Sequence, residues 1–169
     1  MLPTTMNADE QPLSRDALES QISADLREVT TESDQIGRLF AMSQDVRPTD
    51  FRALLHIMVA ETAGRPMTSG DLSQRMGLSG AGITYLVDRL IESGHIRRDS
   101  HPADRRKVIL RYSEPGLDTA RLFFTPLGDH VHRALQGLPD ADLVAARRVF
   151  GALIAAMRHF QTELDSAET

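Results

Sequence analysis

The chain has 169 residues, 41 % apolar and 25 % charged, with no cysteine. That is the composition of one ordinary globular domain, long enough to bury a real core. It excludes disulfides, thiolate metal sites and a cysteine-based redox sensor. No apolar run approaches the roughly 20 residues of a membrane span. Asp9 and Glu10, with no basic cluster before an apolar stretch, do not read as a secretory signal, so a cytoplasmic protein without membrane partners is expected. The formal net charge is −5, but its distribution is uneven. Between Arg65 and Arg111 nine basic residues meet five acidic ones, so a basic middle sits between acidic flanks.

Residues 1–13 carry prolines and threonines without periodicity and read as a disordered tail. From Ser14 to about Met42, Leu18, Ile22, Leu26, Val29, Ile36 and Phe40 recur at helical spacing. This helix is longer than a compact domain requires, so part of it is expected to pack outside its own body. Pro48-Thr49-Asp50 opens a second helix with Thr49 as N-cap and Phe51, Leu54, Leu55 and Met58 as its apolar face. Thr68 to Asp71 has capping-box spacing and starts a short third helix ending at Gly77. Ser79 caps a fourth helix, in which Ile83, Leu86, Val87, Leu90 and Ile91 make one buried stripe. Its other face carries Ala81, Gly82, Thr84, Tyr85, Asp88 and Arg89.

Ile96–Asp99 and Lys107–Tyr112 read as two strands joined by a long polar tip, a β-hairpin. Ser113 caps a fifth helix, with Leu117, Phe124, Val131 and Leu138 seven apart; Pro126 should kink or break it. Pro139-Asp140 opens a sixth, with Leu143, Phe150, Met157 and Leu164 at the same step. Heptads of this kind mean helix-on-helix packing. The expected fold is mainly α with a small β-hairpin wing. Residues 48–113 form a winged helix-turn-helix, and residues 14–47 and 114–164 form a helical dimerisation region.

A helix, a tight turn, a second amphipathic helix and a basic hairpin in succession suit a DNA-binding unit, whose second helix enters the major groove. Ser79, Gly80, Ala81 and Gly82 leave the first turn of helix four almost free of side-chain bulk. The backbone can then approach the groove, with its free N–H groups toward a phosphate. Thr84, Tyr85 and Arg89 are candidate readers of bases or phosphates. Arg97, Arg98, Arg105, Arg106, Lys107 and Arg111 crowd the hairpin against only Asp99 and Asp104. An arginine at a hairpin tip can enter a narrow minor groove, where the potential is most negative. Tight helix packing for the glycines, and a solvated basic loop for the arginines, are the competing readings.

These residues resemble the winged helix of the MarR family. The features that carry the resemblance are Leu-Val-Asp-Arg-Leu-Ile-Glu-Ser-Gly at 86–94, Arg98 just after it, the Asp104-x-Arg106 pair and Ser113-x-x-Gly116. Thr49-Asp-Phe-Arg-Ala-Leu-Leu and Pro66-Met-Thr-Ser-Gly-Asp-Leu resemble the family's second and third helices. The resemblance implies that Arg106 reaches the minor groove and that helix 79–93 reads the major groove. It implies that Asp104 holds Arg98 and shapes the wing, and that Thr68 and Ser69 touch phosphates. Tyr112 stands where the family usually has Leu. It further implies a small aromatic or amphipathic ligand, which Phe40, Phe51, His56 and Met58 could surround; core packing is the stronger reading of those four.

The expected function is a homodimeric transcriptional regulator, a repressor on palindromic double-stranded DNA that a ligand could release. No enzymatic activity, cofactor or metal is expected. His130 and His132 are two apart and face different sides of a helix, and no nucleophile motif or phosphate loop is present. The alternatives are a winged-helix protein-interaction module that never binds DNA and a nonspecific architectural DNA binder.

Overall fold

A computed structural model describes residues 13–167; the expected tail at 1–13 falls outside these, Leu13 excepted. The described chain divides into two units, one running to Asp118 and one starting at Thr119. The first contains α1 (Arg15–Ser43), α2 (Pro48–Thr62), α3 (Ser69–Met76), α4 (Gly80–Glu92), β1 (Ile96–His101) and β2 (Asp104–Tyr112). Helix α5 (Glu114–Leu135) begins there and runs into the second unit, which also holds α6 (Asp140–Ala167).

The capping residues act as their chemistry suggests. Ser14 accepts from Ala17 N–H, and Ser79 from Gly82 N–H, each at 3.2 Å. Thr68 and Asp71 form a reciprocal capping box, Thr68 N–H donating to Asp71 Oδ2 at 2.7 Å. That bond, with a second donated by Thr68 Oγ1 to the same Oδ2 at 2.8 Å, holds the Asp71 carboxyl below its usual range. Helix α3 ends at Gly77 in the left-handed region, φ 63°. Helix α2 differs from expectation. Pro48 occupies its first turn, so the N-cap falls on Arg47 and Thr49 lies inside the helix.

The core of the first unit gathers Ala53, Leu54 and Ile57 from α2 and Leu72 from α3. To these α4 adds Ile83, Leu86, Val87 and Leu90, and the hairpin adds Ile96, Leu110 and Tyr112. Seven of the largest of these side chains are shielded almost completely from solvent, and each contributes roughly 1.5–3 kcal/mol on burial. Phe40 of α1 meets Phe51 of α2 at 5.6 Å between ring centroids. Gly37 makes room for this, since a Cβ there would come within 2.4 Å of the Phe51 ring.

The strands pair antiparallel from Ile96↔Tyr112 to His101↔Asp104, with an irregularity at Ser100/His101. Only Pro102 and Ala103 stand between them, so the long polar tip is corrected to a two-residue turn. A solvated ribbon carries no apolar alternation to mark its strands, which is why the polar stretch reads as loop. Backbone pairing of Thr68 with Ile109, and Leu110 N–H donating to Met67 C=O at 2.8 Å, tie the hairpin to the start of α3. In α5 the helix continues through Pro126, so a break there is overturned. In the second unit α6 buries none of its residues: Phe150, Ile154, Met157, Phe160 and Leu164 all stand exposed.

Candidate nucleic-acid interface

Helix α4 presents Ala81, Thr84 and Tyr85 to solvent over its buried stripe, with Ser79 and Gly80 exposed at its start. A Cβ at Gly80 would meet nothing within 4 Å, so neither packing nor backbone angle requires glycine there. That weakens the helix-packing reading of this glycine. Thr84 Oγ1 donates to Gly80 C=O at 2.8 Å, inside the helix.

Arg89 is not a free projection from this face. Its guanidinium grips Asp50 of α2 with two parallel hydrogen bonds, Nε to Oδ2 at 2.7 Å and Nη2 to Oδ1. Asp50 is only 3 % exposed. Fork-to-fork pairing of this kind is the strong form of a charge-assisted bond, and it holds the guanidinium protonated well above its ordinary range. Arg89 also lies 4.8 Å from the Tyr85 ring centroid, a cation–π contact. Asp50 stands in the sequence as one residue of a helix start, with nothing nearby in the chain to mark its partner. Its position three, four and seven residues before Ala53, Leu54 and Ile57 places it on the buried stripe, and that spacing was the available signal.

The wing shows a second departure. Arg98 Nη2 pairs with Asp88 Oδ1 of α4 at 2.7 Å, not with Asp104. Asp104 instead accepts from the backbone N–H of Arg106 at 3.1 Å, a short-range turn contact that shapes the strand start. Its carboxylate is used locally, while α4 runs close enough to β1 to supply the nearer partner. Arg105, Arg106 and Lys107 are all exposed, and the two arginines form no ion pair among the described residues. Of the hairpin's acids, Asp99 is committed to Arg97 at 2.7 Å and to Arg111 at 3.6 Å. The basic cluster at the start of β2 is thus left un-neutralised, against the reading of a loop whose arginines pair with the two aspartates.

Two elements fix the wing from below. Glu61 at the end of α2 accepts from Arg111 Nη1 at 2.8 Å and from Tyr112 N–H at 3.3 Å. The buried Tyr112 hydroxyl donates to Leu54 C=O at 3.0 Å, and burial raises its phenol far above the usual value. Tyrosine at this position therefore adds a polar tie to α2 that leucine would lack. Glu61 gave no sequence signal, because its partners lie 50 residues away.

Thr68 and Ser69 sit half-buried at the start of α3. Thr68's side chain is spent on the capping box. Of the four residues expected around a ligand, only Phe51 lines the open groove of about 650 Å³ between the end of α1 and the start of α2. Its other walls include Arg38, Met42, Val46, Arg52 and Leu55. Phe40 is buried against Phe51, and Met58 packs against the core, which is the core-packing reading for both. His56 is half-buried, and burial with Arg75 and Arg52 nearby lowers its pKa. The described residues contain no cluster of His, Cys, Asp and Glu able to hold a metal ion, and no helix long and apolar enough to cross a membrane.

Residues 44–107 match the model of the MarR family. An uncharacterised HTH-type transcriptional regulator of Bacillus subtilis (strain 168), YcgE, is 34 % identical over 97 residues, which is 57 % of this chain and 60 % of that protein. Among solved structures, a MarR family protein from Bacillus stearothermophilus superposes with a TM-score of 0.58 at 22 % identity, over 86 % of this chain and 99 % of that one. Transcriptional regulator Tm0710 from Thermotoga maritima gives 0.54 at 22 % identity, over 83 % and 96 %. The structural likenesses establish the winged-helix fold, and the sequence match places the domain within it. Residues 44–107 are thus similar in sequence to the MarR family, and the chain spans 60 % of the length of the curated relative it matches.

Proposed function

We propose that the protein is a sequence-specific DNA-binding regulator, a repressor acting as a homodimer on a palindromic operator. The observation that carries this reading is the un-neutralised basic start of β2 beside the bare first turn of α4, both braced from α2. Arg106 enters the minor groove while α4 lies in the adjacent major groove. Thr68 and Ser69 lie at the N-terminus of α3, where free N–H groups and the helix dipole favour a phosphate. An interaction module would have no use for three exposed basic residues in succession at 105–107.

Dimerisation draws support from α6, which leaves Phe150, Met157 and Leu164 exposed at heptad spacing, with Ile154 and Phe160 exposed between them. Apolar surface of that extent is rare on a monomer. A twofold dimer would place two copies of α4 about one DNA turn apart, roughly 34 Å. The groove beside Phe51, apolar with Arg38, Arg52, Asp34 and Asp45 among its walls, suits a small amphipathic ligand whose binding shifts the population of wing-domain spacings. The test is fluorescence anisotropy with DNA flanking the protein's own gene and excess random competitor, run beside sedimentation of the free protein. Competitor-resistant binding by a dimer supports the reading. A folded dimer that binds no DNA at low salt would favour the interaction module, and equal affinity for random DNA the architectural binder.

A further inference from the structure

Asp50, Arg89 and Tyr85 form a connected series from the core to the surface. Asp50 is buried at the start of α2 and cannot reach a nucleic acid. Its two oxygens hold the Arg89 fork in one orientation. Arg89 in turn lies 4.8 Å from the centroid of the Tyr85 ring. Tyr85 is 65 % exposed, one of the largest apolar surfaces on the outer face of α4. An unsupported tyrosine on a helix surface samples several rotamers, and a protein contact that must fix one of them costs entropy on binding. A guanidinium locked beneath the ring removes that cost in advance.

We propose that these three residues are a positioning chain: Asp50 fixes Arg89, Arg89 fixes the Tyr85 ring, and Tyr85 is the specificity-determining contact of α4 with a base edge, while Arg89 itself touches no DNA. This rests on the DNA-binding reading above and refines it. A charge spent on a buried carboxylate neutralises no phosphate. Arg89 therefore contributes to sequence discrimination and not to the salt dependence of binding, whereas an arginine on a phosphate contributes about 0.9 to the salt slope.

The test uses an operator selected from a random duplex pool by the wild-type full-length protein. Affinities for that operator and for a random duplex of equal length are measured across a salt series for wild type, Arg89→Gln and Tyr85→Ala. Both variants should lose about tenfold or more of the operator-over-random ratio, the scale of one good base contact. The loss should fall on the operator far more than on random DNA, and the salt slopes should stay at the wild-type values. A slope reduced by about 0.9 per subunit in Arg89→Gln, with equal loss on both duplexes, would show a phosphate contact and overturn the proposal. Tyr85→Ala leaves the Asp50–Arg89 pair intact, so retained discrimination in that variant overturns it even where Arg89→Gln is too unstable to assay. Wild type that selects no operator refutes the specific-regulator reading itself, a result distinct from unaltered variants of a protein that does.

Discussion

Glu61 and Arg111 lie 50 residues apart in the chain and 2.8 Å apart in space, and their contact fixes the wing to α2. The other Glu61 oxygen takes the backbone N–H of Tyr112, so one carboxylate holds both a side chain and the main chain of β2. Both side chains are 28 % exposed, intermediate between a surface pair and a core pair. We predict that Glu61→Ala destabilises the protein by about 1–2 kcal/mol, since it strands a half-buried arginine and an N–H together. Urea denaturation measures this. An unchanged midpoint would mean the wing is held by Tyr112 and the core alone.

Gly116 and Gly80 offer opposite predictions from the same kind of substitution. A Cβ on Gly116 would lie 2.1 Å from the carbonyl oxygen of His95, which is backbone and cannot swing aside. Gly116→Ala should therefore cost on the order of 2–3 kcal/mol through forced displacement of the turn before β1. Gly80→Ala meets nothing and sits in a helix, so stability should hold or rise by up to about 1 kcal/mol. DNA affinity should nevertheless fall in Gly80→Ala if the helix start approaches the groove. Thermal melts beside anisotropy separate the two effects, and a Gly80→Ala protein that binds as wild type would remove the close-approach argument.

Thr68 joins the α3 capping box to the hairpin through its pairing with Ile109. Loss of its hydroxyl in Thr68→Ala should cost about 1 kcal/mol, the usual price of an N-cap. Because the cap works through the charged form of Asp71, this contribution is present above the unfolded aspartate value, near 4, and is lost as pH falls through the lower folded value. Stability curves of wild type and Thr68→Ala should therefore converge in acid, and parallel curves would contradict the assignment.

His56 and His95 predict a milder acid sensitivity. Burial lowers both, with Arg75 and Arg52 adding to the effect at His56. The folded state then binds fewer protons than the unfolded chain below about pH 6.5, so stability falls as pH drops through that value. A melting-temperature series from pH 7.5 to 5 should show the decline. The His56→Gln, His95→Gln double variant should flatten it, and an unchanged decline would place its origin elsewhere.

Much of this architecture was legible in the sequence because it is written in short-range chemistry. Ser14, Thr68 with Asp71, Ser79 and Gly77 mark helix ends through contacts within three or four residues, and the α4 stripe marks its buried face by period alone. What could not be read depends on which surfaces meet. Arg89 and Asp88 share an exposed-looking helix edge, yet one turns to a buried aspartate 39 residues earlier and the other to Arg98. The family resemblance implied Asp104 as the partner of Arg98, but its oxygen serves the turn. The hairpin tip read as loop because Ser100 to Arg106 carries no apolar residue except Pro102 and Ala103, and strand pairing there rests on backbone bonds.

The central claim is that the basic wing reads DNA, and Arg106→Ala tests it most directly. Binding to the operator should weaken by about 1–3 kcal/mol relative to wild type, with a fold and oligomeric state unchanged by circular dichroism and sedimentation. Its salt slope should drop, since an exposed arginine placed in the groove displaces counterions that alanine does not. A well-folded Arg106→Ala protein that binds the operator with wild-type affinity and wild-type salt dependence would contradict the account.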